Sequence, residues 1–284
     1  YMPVFQVGHT MGSLLAATLN VPFYRTTHQR GHLAAAMYGT GLKGGEPLLA
    51  VHLSGGTTDL LQMDDRAVRR IGGSADLHAG QLVDRAGVAM GLGFPAGEAL
   101  ERLAVHGVSR GLLGCSMEAG DLICHLSGAE TKVQRWIREG TLPREDIARE
   151  IYDLLARTLT RMLRAAAEKT GIRQALMTGG VAASVLLRQM MTARKDKIRG
   201  CPELIFGRPE MSGDNAVGVA LIGAERLRKN RPETGGDTDG GTDTGRKTDV
   251  GGPAPGDRGP GPDTQGAGNH TGAGGDSGGK RSRQ

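Results

Sequence analysis

Leu48-Leu49-Ala50-Val51-His52-Leu53-Ser54-Gly55-Gly56-Thr57-Thr58-Asp59-Leu60-Leu61-Gln62-Met63 reads as an apolar strand, a small-residue turn and a returning strand. The same grammar recurs twice. Gln174-Ala175-Leu176-Met177 runs into Thr178-Gly179-Gly180 and then a helical Val181-Ala182-Ala183-Ser184-Val185-Leu186-Leu187. Leu204-Ile205-Phe206 leads through Arg208-Pro209-Glu210 to Asp214-Asn215, which opens an apolar helix to about Leu227. One Gly-Gly turn does no more than end a strand. Two such turns after apolar strands, one of them opening a helix, point to paired phosphate-binding loops, because glycine lets backbone N–H groups approach an anion closely.

Helices fill the intervals. Ala96 to about His106 has helical apolar spacing with Pro95 just before it. Glu145 to Lys169 predicts a long amphipathic helix: Ile147, Ile151, Leu154, Leu155, Leu159, Met162 and Leu163 form its core stripe, and Gly171 stops it. Upstream, Thr27-His28-Gln29-Arg30-Gly31-His32 precedes an Ala- and Leu-rich run. The i, i+4 spacing sets both imidazoles on one helix face, close enough to share one metal ion. Neutral imidazole suits Zn or Fe(II). Two ligands do not close a site, and spacing names no third; two unrelated histidines at a helix start is the other reading. A zinc-protease helix would carry a Glu base where this chain has Gln29.

From about Asn230 onward the chain is Gly, Asp, Thr, Pro, Arg and Lys with almost no large apolar residue. Such a segment cannot bury enough surface to offset its ordering entropy, so residues 230–284 are expected to be a disordered tail on a folded part, 1–229. The whole chain carries +5; seven basic and eight acidic tail residues take −1, leaving +6 on the folded part. That excess is compatible with a polyanionic partner and equally with an ordinary solvated surface. Three scattered cysteines make neither a disulfide framework nor a Cys-only metal site, and fit a reducing, cytoplasmic setting. No apolar run reaches membrane-spanning length and no signal peptide is visible.

His28-Gln29-Arg30-Gly31-His32, Leu53-Ser54-Gly55-Gly56-Thr57-Thr58, Gly91-Leu92-Gly93-Phe94-Pro95-Ala96-Gly97, Leu126-Ser127-Gly128, Gly179-Gly180-Val181-Ala182-Ala183 and Pro209-Glu210-Met211-Ser212-Gly213-Asp214-Asn215-Ala216 occur in this order. Together they resemble the TsaD-type threonylcarbamoyltransferases that modify tRNA, long known as O-sialoglycoprotein endopeptidases or glycoproteases. The resemblance implies an α/β, actin/Hsp70/sugar-kinase-like fold of two lobes with a nucleotide-sized cleft between them. It implies one divalent metal, Fe(II) ahead of Zn, held by His28, His32 and Asp214. Read alone, Asp214 is an N-cap of the last helix. It implies nucleotide and acyl-adenylate contacts at His52, Leu53, Ser54, Gly55 and Gly56, at Asp84 and Gly97, and at Gly179, Gly180 and Ser184. Asp84, in Gln81-Leu82-Val83-Asp84-Arg85-Ala86, is a ribose-hydroxyl partner by that resemblance and a solvated helix-face charge by spacing alone.

The implied reaction moves a threonylcarbamoyl group from threonylcarbamoyl-adenylate to adenosine beside the anticodon. The metal is a Lewis acid and template, and accessory subunits of the threonylcarbamoylation machinery are partners. With Trp136 the only tryptophan, tRNA is expected to bind by shape and charge, not on a stacking platform. The family usually has His where this chain has Thr57 and Asn where it has Ser184. Its N-terminal strand pair is not in the sequence, which is expected to begin roughly 80 residues into the family's usual length. Those departures keep a second expectation open: a non-catalytic paralogue that binds nucleotide and partner subunits as a scaffold. A metallopeptidase is a weaker third, because Gln29 is no base.

Overall fold

Strand β1 (Leu48–Leu53) sends its side chains alternately to two apolar clusters. Leu49, Val51 and Leu53 enter the larger one, Leu48 and Ala50 the smaller. A strand buried on both faces needs apolar residues on both, and this explains the apolar run 48–51 that only His52, half-buried, interrupts before Leu53. The structure, a computed structural model, describes residues 2–64, 67–213 and 215–229. β1 pairs antiparallel with β2 (Thr58–Met63), and β2 pairs antiparallel with β3 (Val68–Ser74). Beyond β3 lie two short strands, β4 (Ser116–Met117) and β5 (Ile123–His125). On the other side of β1, β6 (Gln174–Thr178) and β7 (Glu203–Phe206) pair in parallel. The sheet order is β4-β5-β3-β2-β1-β6-β7.

One face carries α3 (Ala79–Ala89), α4 (Gly97–Val105), α5 (Ser127–Glu139), α6 (Arg144–Thr170) and α7 (Val185–Lys195). The 27-residue α6 covers the range its periodicity predicts, and Gly171 ends it in the left-handed conformation at φ +74°. The other face is covered by α2 (His28–Met37), whose Leu33 and Ala36 meet Leu48, Ala50, Leu61 and Leu176. Against α2 packs α8 (Val217–Lys229). The helices approach backbone to backbone: a Cβ on Gly218 would sit 1.8 Å from Gly31 O. On α1 (Met2–Thr18), Val7, Met11, Leu14 and Leu15 recur at helical spacing and are 59–64% exposed, so no described residue covers that face.

The mixed α/β class expected from the sequence is what forms. Among the described residues the seven strands form one sheet, with β1 between β2 and β6. The expected tail, 230–284, and the expected ligand Asp214 lie outside the described residues. No described helix is long and apolar enough to cross a membrane, and Cys115, Cys124 and Cys201 are unpaired thiols.

Candidate functional site

The β1–β2 turn is tight, with Ser54 N bonded to Thr57 O at 2.9 Å. Thr58 Oγ1 accepts from Ala79 N at 2.8 Å, which brings the N-terminus of α3 to that turn. Gly80 makes the approach possible. A Cβ there would stand 2.5 Å from Ser54 O and 2.6 Å from Gly55 Cα. Asp84, one turn further along α3, accepts from Ala96 N at 2.8 Å and so fixes the loop that opens α4 at Gly97. From α6, Tyr152 Oη donates to Gly97 O at 3.1 Å. Burial, with Glu101 nearby, pushes the Tyr152 phenol well above its ordinary value, so it remains a neutral donor. The turn after β6 enters a short 3-10 turn (Val181–Ala183), and Ser184 Oγ caps α7 by accepting from Leu187 N at 3.1 Å.

These elements enclose a cleft of about 620 Å³. Of the residues expected to contact nucleotide, Gly55, Asp84, Gly97, Gly180 and Ser184 line it. Its chemistry is split. The Gly55 turn and the first turn of α3 offer backbone N–H groups and a helix dipole, which suit a phosphate. Asp84, Glu98 and Glu101 offer carboxylates, which suit hydroxyl or amine donors. Gly80, Tyr152, Glu98 and Glu101 are functional candidates that sequence reasoning misses. Gly80 carries a signal, a glycine in the first turn of a helix that follows a Gly-containing strand. Tyr152 carries none, because its position belongs to the apolar stripe of α6.

The remaining expected contacts fall elsewhere. Leu53 is fully buried and its side chain belongs to the core, so it offers the cleft backbone alone. Ser54 and Gly56 sit in the β1–β2 turn, and Gly179 follows β6 directly, none of them in the cleft lining. His52 also departs from the nucleotide set. It shares strand parity with Leu48 and Ala50, which points it to the α2 face, and its ring lies 5.6 Å from that of His32.

Thr27 caps α2 by accepting from Arg30 N at 3.2 Å, which starts the helix at His28. His28 and His32 then face each other with Nε2 atoms 3.0 Å apart and rings nearly perpendicular. Two nitrogens each about 2.1 Å from one ion are separated by about this distance when they coordinate side by side. The pair fits the metal that the resemblance implies. Burial and the nearby His32 push His52 below the usual imidazole value, and Asp59, its cross-strand neighbour, opposes them. Asp59 is itself held by Arg70 Nε at 2.6 Å. Among the described residues no group of three or more His, Cys, Asp or Glu side chains is arranged to hold a metal.

Comparison with known proteins gives a family and a fold. The TsaD family model, described as tRNA N6-adenosine threonylcarbamoyltransferase, matches residues 3–221. Among solved structures, a full-length HypF in a phosphate- and nucleotide-bound form is similar at a TM-score of 0.60 and 13% identity, over 75% of this chain and 45% of that one. HypF of T. kodakarensis is similar at a TM-score of 0.61 and 16% identity, over 78% of this chain and 39% of that one. This chain therefore spans less than half the length of either, and at such identity the likeness is one of fold.

Proposed function

The chain belongs to the TsaD family of tRNA N6-adenosine threonylcarbamoyltransferases, a tRNA-modifying transferase family, and we propose that it transfers a threonylcarbamoyl group from threonylcarbamoyl-adenylate to the exocyclic amine of adenosine beside the anticodon. The observation that carries this reading is the cleft, where Gly55, Gly80, Asp84, Gly97, Gly180 and Ser184 converge from four separate stretches of the chain. In this reading the backbone of the Gly55 turn and the α3 N-terminus hold the adenylate phosphate. Asp84, anchored through Ala96 N, takes a ribose hydroxyl. The adenosine amine attacks the carbamoyl carbon, the bond to the phosphate oxygen breaks, AMP leaves, and the amine gives up its proton. His28, His32 and, by the family resemblance, Asp214 would hold one Fe(II) or Zn. Bound there, that ion supplies Lewis-acid polarisation of the carbamoyl oxygen. Accessory subunits and tRNA complete the assembly in this proposal.

One observation favours the scaffold as a second reading. Ser184, which stands where the family usually has Asn, spends its hydroxyl on capping α7.

The test is restoration of threonylcarbamoyladenosine in tRNA from cells depleted of their own transferase, measured by mass spectrometry of digested nucleosides. Rescue by the wild type is expected, with loss in His28→Ala and His32→Ala. Elemental analysis should find close to one Fe or Zn per wild-type chain and little in His32→Ala, since two remaining ligands seldom retain a transition metal. No rescue while metal and nucleotide still bind would replace the enzyme with the scaffold. Equal metal in wild type and mutant would remove the metal site.

A further inference from the structure

Away from both sites, α6, α7 and residues 114–121 wall a second cleft of about 500 Å³. Arg157, Arg161 and Arg164 project into it from one face of α6, and Arg194 faces them from the last turn of α7. Ile198 also lines it, flanked in the chain by Lys197 and Arg199. Three carboxylates pair with the four arginines that line the cleft. Asp153 accepts from Arg157 Nε at 2.7 Å and lies 3.8 Å from Arg194. Asp121 pairs with Arg161 at 2.7 Å, and Glu168 stands 3.3 Å from Arg164.

Like charges one helical turn apart repel, so gathering them costs stability. The fold uses some of their donors: Arg157 Nη2 bonds Leu113 O. It does not use them all. Arg194 Nε is buried and meets no acceptor among the described residues, although buried donors are nearly always satisfied. The cleft floor includes the Thr158 hydroxyl, 3.2 Å from Cys115 Sγ. A guanidinium fork pairs two N–H groups with two oxygens of one phosphate, and each arginine has five such donors.

We propose that this cleft is a phosphate-binding site whose ligand is the sugar-phosphate backbone of RNA. The choice of RNA rests on the proposed tRNA substrate; the phosphate chemistry rests on the arginines alone. Lys197 and Arg199 beside the cleft extend the positive surface along a strand.

The experiment uses the full chain and two probes. An unmodified, fluorescently labelled tRNA transcript is followed by anisotropy over a range of salt, and inorganic phosphate is titrated by calorimetry. The variants are Arg161→Gln with Arg194→Gln, and Arg164→Gln, with Arg138→Gln on α5 as the control for the single variant and Arg135→Gln with Arg138→Gln as the charge-matched control for the double. Circular dichroism checks that each folds. Arg161, Arg164 and Arg194 are 57%, 45% and 37% exposed, so their replacement by glutamine, which keeps most of each stem, removes little packing. The double variant is expected to weaken tRNA binding about tenfold at low salt. It should also flatten the salt slope by about 2, because each of its two arginines neutralises one phosphate. Neither α5 control should change affinity more than twofold. Unchanged tRNA binding, with phosphate bound by wild type and not by the variants, would keep the phosphate site and overturn RNA as its ligand. Variants equal to wild type with both probes would overturn the site. Neither probe depends on catalysis, so intact tRNA binding without nucleoside modification would count against the proposed reaction alone.

Discussion

Asp76 shows how one side chain joins distant parts of this fold. It accepts from Leu77 N at 2.6 Å, Leu126 N at 2.7 Å, and the amide and hydroxyl of Ser127 at 3.3 and 2.5 Å. It thereby caps α5 from a position some fifty residues earlier in the chain. Burial alone would raise its carboxyl; the bonds from Ser127, Leu77 and Leu126 outweigh burial and hold it down at about 2. A carboxyl lowered in the folded state contributes stability that is full above about pH 4 and is lost as pH falls towards about 2. Asp76→Asn should therefore lower the unfolding temperature at pH 7 by roughly 2–4 °C, the equivalent of a cap worth about 1 kcal/mol. Its curve should converge on that of the wild type as pH drops from 4 to 2. Parallel curves over that range would show that another group carries the acid dependence. None of this is legible in sequence, because Asp76 and Ser127 meet only through the β3–β5 pairing. His52 is half legible. Its parity with Leu48 and Ala50 places it on the α2 face, yet the adjacent Gly-Gly turn points the other way, to the nucleotide set.

At the scale of elements, periodicity finds what is long or central. β1, β2, β6, β7, α4, α6 and α8 follow from apolar spacing and glycine stops. β4 and β5 have two and three residues, too few to show a period. β3 hides its nature, since Arg69 and Arg70 lie adjacent and exposed and Gly72-Gly73 follows. The contact between α2 and α8 is hidden too, because it uses absent side chains. Gly31 and Gly218 let the backbones touch, and this sets the start of α8 against the helix that carries His28 and His32. Gly218→Val must separate the two helices, because its Cβ would stand 1.8 Å from Gly31 O. Overpacking of this kind costs about 1–3 kcal/mol. A fall in unfolding temperature of several degrees is expected, together with weaker metal retention by the displaced histidine face. A variant that melts within a degree of wild type would show that α8 does not pack on α2 in this way.

At the scale of the molecule, the described residues build one seven-stranded sheet. Its turns after β1 and β6 lie side by side because the two strands are parallel neighbours, so Gly55 and Gly180 reach the same cleft. Paired Gly-Gly turns after apolar strands are legible in sequence; that they converge is not, because convergence depends on strand order. This convergence predicts linkage between nucleotide binding and global stability. At one hundred times its Kd, an adenine nucleotide should stabilise the folded chain by about 2.7 kcal/mol, roughly 5–10 °C for a domain of this size. Gly55→Val separates binding from folding. A Cβ at Gly55 would meet nothing within 4 Å, so the nucleotide-free variant should melt as wild type does. The added side chain nevertheless stands between the backbone N–H groups and an incoming phosphate, and the nucleotide-induced shift should vanish. Should Gly55→Val keep the full shift, the turn is a structural corner and the nucleotide lies elsewhere. Should it melt far below wild type without ligand, Glu101→Ala, in the same cleft lining, becomes the decisive variant.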